Sequence, residues 1–162
     1  MKFGCPLIAV KDMAVSRRFY EAVLRQKASL DLGANLTFGE GDNVFALQAD
    51  FQGLIGSNSF DVRFGGNDHE LFFEESDFDE FEKHLSGFDD IVYVHGAKEY
   101  PWGQRVIRFY DPDHHVIEVG ESMEGVFKKF HSQGMTIEEV AERTQHPVEF
   151  VKRYIEENEA AK

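Results

Sequence analysis

Cysteine occurs once in the 162 residues, at Cys5. A single thiol cannot close an internal disulfide, and such a chain suits a reducing compartment. Positive charge is scarce as well: 17 Lys and Arg stand against 30 Asp and Glu, a formal net charge of −13. That balance opposes attachment to phosphate backbones or anionic lipid by charge attraction. No apolar run approaches the length of a membrane span, and the opening MKFGCPLIAV lacks the long apolar core of a signal peptide. A cytoplasmic protein with no membrane partner is the expectation. Phenylalanine, by contrast, is abundant, with 16 against five tyrosines, which points to a phenylalanine-rich interior or pocket. The length suits one domain, or one domain with an appendage, and is enough to bury a real core.

Periodicity orders the chain. Residues 3–10 read as an apolar strand with Cys5, Leu7 and Ala9 on one face and Ile8 and Val10 on the other. Asp12 offers an N-cap for a helix through Leu24 whose stripe is Val15, Phe19 and Val23. Residues 28–33, 34–39 and 43–49 read as three short strands separated by Gly/Asp turns, and residues 50–67 as a loop-rich connection. A strand over residues 69–74 then leads to a helix capped by Asp77, with Phe78, Phe81 and Leu85 inward and Glu80 placed as a capping box prefers. Another strand is expected over residues 91–95.

The most informative stretch is residues 100–121, YPWGQRVIRFYDPDHHVIEVGE. It reads as a hairpin: alternation over residues 104–110, a Pro/Asp turn, and alternation again from Val116. One face is apolar through Ile107, Phe109, Ile117 and Val119. The other carries Arg108, Tyr110 and Glu118, polar groups where a plain core would place Val or Leu. One sheet face lining a cavity has this pattern.

The string PWGQRVIRFYDPDHHVIEVGE resembles the closing hairpin of the vicinal oxygen chelate superfamily, which includes glyoxalase I, bleomycin resistance proteins and extradiol dioxygenases. VKDMAVSRRFYEAVL resembles its first strand-helix unit and residues 69–85 the start of its second. The resemblance implies an α+β fold in which two βαβββ modules, about 3–50 and 68–121, form a half-open barrel of curved mixed sheet. It covers residues 3 to about 122, implying a domain of residues 1–122 with 123–162 as a C-terminal helical extension. It also implies four chelating side chains, from the first, fourth, fifth and eighth strands. Carried over residue by residue, these positions fall on Cys5, on Ala46 or Gln48, on His69 and on Glu118. His69 and Glu118 are good divalent-metal ligands. A thiolate at Cys5 would tilt selectivity from Ni, Mn or Fe toward Zn, and as a non-ligand Cys5 would be a small buried hydrophobe.

Each candidate keeps a second reading. His69 is a ligand, a substrate hydrogen-bonder or a strand-edge residue. Glu118, flanked by apolar residues, requires either a cation or a hydrogen-bond donor, and Arg108 can serve without a metal. Glu118 is also the only evident catalytic base. Arg108 can clamp a carboxylate or phosphate, and Tyr110 shares its face. Trp102 is a packing lid or a ligand platform. His95 with Tyr93, or Val92 with Val94, faces inward. His114 and His115 lie in the turn, with His114 expected in solvent.

The tail reads as three helices. Ser122 caps the first, Thr136 with Glu139 forms a capping box for the second, and Pro147 opens the third. GMTIEEVAERTQHPVEFVKRYIEE looks like a helix-turn-helix, but its candidate reading helix offers Glu149, Glu156 and Glu157 beside Lys152 and Arg153. DNA binding is not expected. Two functions stay open. One is a divalent-metal-assisted lyase or isomerase acting on a small vicinal-oxygen substrate; the other is a metal-free small-molecule binding protein. The resemblance implies a homodimer for either.

Overall fold

The computed structural model describes residues 1–56 and 61–159. Residues 57–60, inside the expected connection, and 160–162, at the end of the expected extension, lie outside the described residues. The first sheet contains β1 (Leu7–Ala9), β2 (Ala28–Asp31), β3 (Asn35–Glu40) and β4 (Asn43–Gln48), in the order β1-β4-β3-β2. β1 runs parallel to β4, with Leu7 opposite Ala46, and the other pairs are antiparallel. β1 is shorter than the pattern predicts. Pro6 has no N–H to donate to the ladder, although its carbonyl accepts from the Ala46 N–H at 3.0 Å. Cys5 therefore lies ahead of the strand and is only partly buried.

Asp12 caps α1 (Met13–Ala22) by accepting from the Ala14 and Val15 N–H groups. The buried stripe is Ser16, Tyr20, Val23 and Leu24 rather than Val15, Phe19 and Val23, and Val15 is 37% exposed. The rotation carries the Tyr20 hydroxyl to Asp111, where it donates to Oδ2 at 3.0 Å. The Tyr20 ring packs with Phe38 and Phe45 at centroid separations of 5.7 and 5.3 Å. A short helix not expected from the sequence, α2 (Phe51–Ile55), begins the connection.

The second sheet contains β5 (Glu70–Glu75), β6 (Tyr93–Glu99), β7 (Arg105–Tyr110) and β8 (Val116–Glu121), in the order β5-β8-β7-β6. That is the order of the first sheet repeated. The helix between β5 and β6 is α3 (Phe78–Leu85), capped by Asp77 and burying Phe78, Phe81 and Leu85 as its pattern predicts. The fold is α+β, with one βαβββ order of elements used twice. Contacts divide the chain into two compact units, residues 1–70 with 110–116 and residues 71–109 with 117–162.

The second unit includes the tail: α4 (Met123–Ser132), α5 (Ile137–Thr144) and α6 (Val148–Glu159). Both expected caps form, Ser122 on Gly125 and the full box between Thr136 and Glu139. The three helices share a core of Val126, Phe127, Phe130, Val140, Ala141, Val151 and Ile155. Among the described residues, no helix is long and apolar enough to cross a membrane.

Candidate functional site

In the second unit, polar side chains gather on Arg108. Alternation along β8 puts Glu118 and Gly120 on one face, and β7 presents Arg108 beside them. The Arg108 guanidinium forms an ion pair with the Glu118 carboxylate, their side chains being 22% and 11% exposed. It also donates to the Tyr100 hydroxyl at 2.5 Å and to His95 Nε2 at 3.3 Å. His95 sits opposite Arg108 because β6 is irregular on both sides of it, and such bulges re-aim a side chain. His95 Nδ1 lies 2.8 Å from the Gly96 carbonyl. Nδ1 therefore carries the proton and Nε2 accepts from arginine.

Around this pair the surface is aromatic and amide-rich. Tyr100 stacks on Trp102 with centroids 4.7 Å apart, and Trp102 Nε1 donates to Gln104 at 3.0 Å. Trp102 is thus fixed within the hairpin. Gly120 is bare for a reason: a Cβ there would lie 2.8 Å from Gln104 Nε2 and 2.9 Å from the Phe72 ring. Next to this cluster, Arg105 pairs with Glu121 at 3.1 Å. Burial pushes the Glu121 carboxyl up, but the Arg105 hydrogen bond and the Lys129 charge outweigh it and hold it below its ordinary value.

A different arrangement occupies the first unit. A pocket of about 410 Å³ is lined by β1, Arg63, Gly65, Asp68, His69 and His115 among others. His69 lies just before β5, half exposed, with Nδ1 2.9 Å from Asp68. That hydrogen bond holds the Asp68 carboxyl below its usual range. His115 is buried, and its Nδ1 lies 2.8 Å from Asp111 Oδ2. Tyr20 shares that carboxylate, and burial, reinforced by Asp111, pushes its phenol well above the ordinary value. Tyr110 also belongs to this unit: its hydroxyl donates to Asn67 Oδ1 at 2.9 Å and its ring lies over the exposed His114.

Three of the metal donors implied by the resemblance, Gln48, His69 and Glu118, have protein partners. Glu118 is paired with Arg108. Gln48 is buried, donates to the Ala49 carbonyl at 2.6 Å and accepts from Asn35 at 3.1 Å. Its alternative, Ala46, has no donor atom. Cys5 precedes β1, and His69 leans on Asp68. Among the described residues, no three His, Cys, Asp or Glu side chains are grouped as a metal site.

The glyoxalase-like domain model matches residues 3–124. The chain belongs to that family. This places it in the vicinal oxygen chelate superfamily. Among solved structures, the chain is similar to a protein of unknown function from Agrobacterium tumefaciens str. C58. The two are 33% identical over 75% of this chain and 94% of that one, with a TM-score of 0.65. A glyoxalase-related enzyme from Fulvimarina pelagi is 18% identical, with coverage of 76% and 89% and a TM-score of 0.62. A glyoxalase/bleomycin resistance protein/dioxygenase from Nocardioides is 19% identical, with coverage of 75% and 83% and a TM-score of 0.60. The last two likenesses show the fold alone. No match is found among curated proteins.

Sequence reasoning placed Arg108, Glu118 and His95 in play but missed Tyr100 as their partner, and it put His115 in the turn without its contact to Asp111. The available signal was a buried-type Asp before Pro112 followed by a histidine where the strand resumes. Alternation alone does not report it, because the turn interrupts the period.

Proposed function

We propose that this glyoxalase-like protein binds a small organic molecule without a metal chelate, at the face of the second sheet organised by Arg108 and Glu118. The observation carrying this reading is the ion pair itself. The eighth-strand carboxylate, which in metal-dependent relatives would face a cation, here faces a guanidinium. Glu118, Tyr100 and His95 are among the groups that hold Arg108, so its guanidinium is fixed in place on that face. Trp102 and Tyr100 supply an aromatic surface beside it. In this reading residues 1–122 carry the function and the tail from 123 is an accessory.

The metal-assisted lyase or isomerase reading keeps one supporting observation. Asp68 behind His69 Nδ1 leaves Nε2 available, which is how carboxylates orient metal-binding histidines. Elemental analysis of protein purified without chelator or affinity metal, beside His69→Ala and Glu118→Ala, separates the two. Metal-free protein that gives no heat with Zn, Ni, Mn or Fe is the expected result. A stoichiometric metal lost in both variants would overturn the metal-free reading and make Glu118 a ligand rather than an ion-pair partner. A homodimer is part of the same proposal, checked by sedimentation.

A further inference from the structure

The pocket of the first unit includes neither Arg108 nor Glu118 in its lining and contains a histidine set up as a fixed hydrogen-bond acceptor. Asp111 is buried and fully used. Oδ1 accepts from the backbone N–H groups of Asp113 and His115 at 2.9 and 2.8 Å, and Oδ2 from Tyr20 and His115 Nδ1. A carboxylate bound from so many directions cannot swing away, and it fixes the tautomer: Nδ1 donates, and Nε2 keeps its lone pair. Among the described residues, Ser16 Oγ is the one fully buried side-chain polar atom without a partner. His115 Nε2, which has no protein partner there, is therefore open to the pocket its ring lines.

Two further features define the ligand. Arg63 also lines the pocket and has no ion-pair partner among the described residues. Asp61 lines it as well, and its carboxylate disfavours a second negative charge on whatever binds. The lining also includes the apolar side chains of Leu7, Ala9 and Phe51. The loop carrying these groups is pinned: Asn67 stands at φ 54° and its Oδ1 is held by the Tyr110 hydroxyl. The volume falls at the small end of the range for metabolite sites.

We propose that this pocket binds a small monocarboxylic acid bearing a hydroxyl group and an apolar body. The carboxylate pairs with the Arg63 fork, and the hydroxyl donates to His115 Nε2. Asp111 is a positioning residue that holds the imidazole in the accepting tautomer. The hydroxyl, not the carboxylate alone, sets the preference, because an open Nε2 lone pair is satisfied only by a donor.

The test is titration calorimetry of the full chain with 2-hydroxyisocaproate, its deoxy counterpart isocaproate, and the diacid malate. The expected result is binding of 2-hydroxyisocaproate about tenfold tighter than of isocaproate, with malate weaker than both, a tenfold ratio being what one good hydrogen bond supplies. Arg63→Gln, in an exposed loop, should lose affinity for both monoacids. His115→Phe should erase the hydroxyl preference while leaving weak binding. Arg108→Met should change nothing, which separates this site from the one on the second sheet. Equal affinity for hydroxy and deoxy acids, no binding at millimolar concentration, or binding indifferent to Arg63→Gln would each overturn the proposal. Should His115→Phe fail to fold, the acid comparison and Arg63→Gln still decide it.

Discussion

Replacing Arg108 by Met tests the central contact most directly. Glu118 is 8% exposed, so its charge depends on protein rather than water for compensation. Removing one partner of a fully buried ion pair costs about 3–5 kcal/mol, whereas exposed pairs contribute about 0–1. The pair lies between these limits, nearer the buried one, since the Arg108 and Glu118 side chains are 22% and 11% exposed. Arg108→Met should therefore cost roughly 2–3 kcal/mol. Glu118→Gln should cost less, about 1–2 kcal/mol, because Tyr100 and His95 still accept from the guanidinium. The double variant Arg108→Met/Glu118→Leu removes both charges and should return to within about 1 kcal/mol of the parent. Urea denaturation followed by Trp102 fluorescence reads this locally, since that ring stacks on Tyr100 at 4.7 Å and Tyr100 bonds Arg108. Additive single effects, or a cost below about 0.5 kcal/mol for Arg108→Met, would refute the coupling on which the metal-free reading depends.

Three other substitutions probe the surroundings. Gly103 has φ +87° and a Cβ there would lie 2.3 Å from the Phe130 ring, so Gly103→Ala should destabilise by about 2–4 kcal/mol in a urea midpoint measurement. Phe127 is fully buried among α4, α5 and α6, and Phe127→Ala should cost about 3–5 kcal/mol in the same measurement. For Glu121 the folded carboxyl sits below its ordinary value. Its charge therefore stabilises above the unfolded value, and that contribution is lost as pH falls through the folded one. The stability advantage of the parent over Glu121→Gln, followed by thermal melts, should shrink only below about pH 4.5. A gap unchanged down to strongly acid pH would contradict the assignment to Arg105 and Lys129.

Local pattern made much of the fold legible. Alternation located β2, β3, β4, β7 and β8, and cap chemistry located α3, α4 and α5, because both signals lie within a few residues of what they determine. The errors have the opposite origin. The turn of α1 about its axis depends on Tyr20 finding Asp111, 91 residues away, and a helical stripe drawn from apolarity passes over Ser16 and a tyrosine. β1 begins late because Pro6 withholds a donor. His95 faces Arg108 through an irregularity in β6 that no period describes. The Asp111–His115 contact is only four residues long, yet it was obscured by a turn in which position, rather than alternation, decides direction.

Carrying a site over by position identifies where a side chain stands but not what it stands against. The resemblance would put Glu118 at a position where a carboxylate can face a metal, and its residue type is right for one. Its partner is decided on the neighbouring strand, where Arg108 supplies a permanent positive charge that competes for the same oxygens. An arginine cannot release its proton to make way for a cation, so the exchange of Arg108 for a divalent ion would leave its guanidinium without the Glu118 charge. The tail, too, combines a motif with its own packing and charge. Its α5 and α6 spend their apolar faces on α4, and Lys152 on α6 lies 3.9 Å from Glu156 one turn on. In both places the motif fixes geometry, and the adjoining charge decides which ligand that geometry will accept.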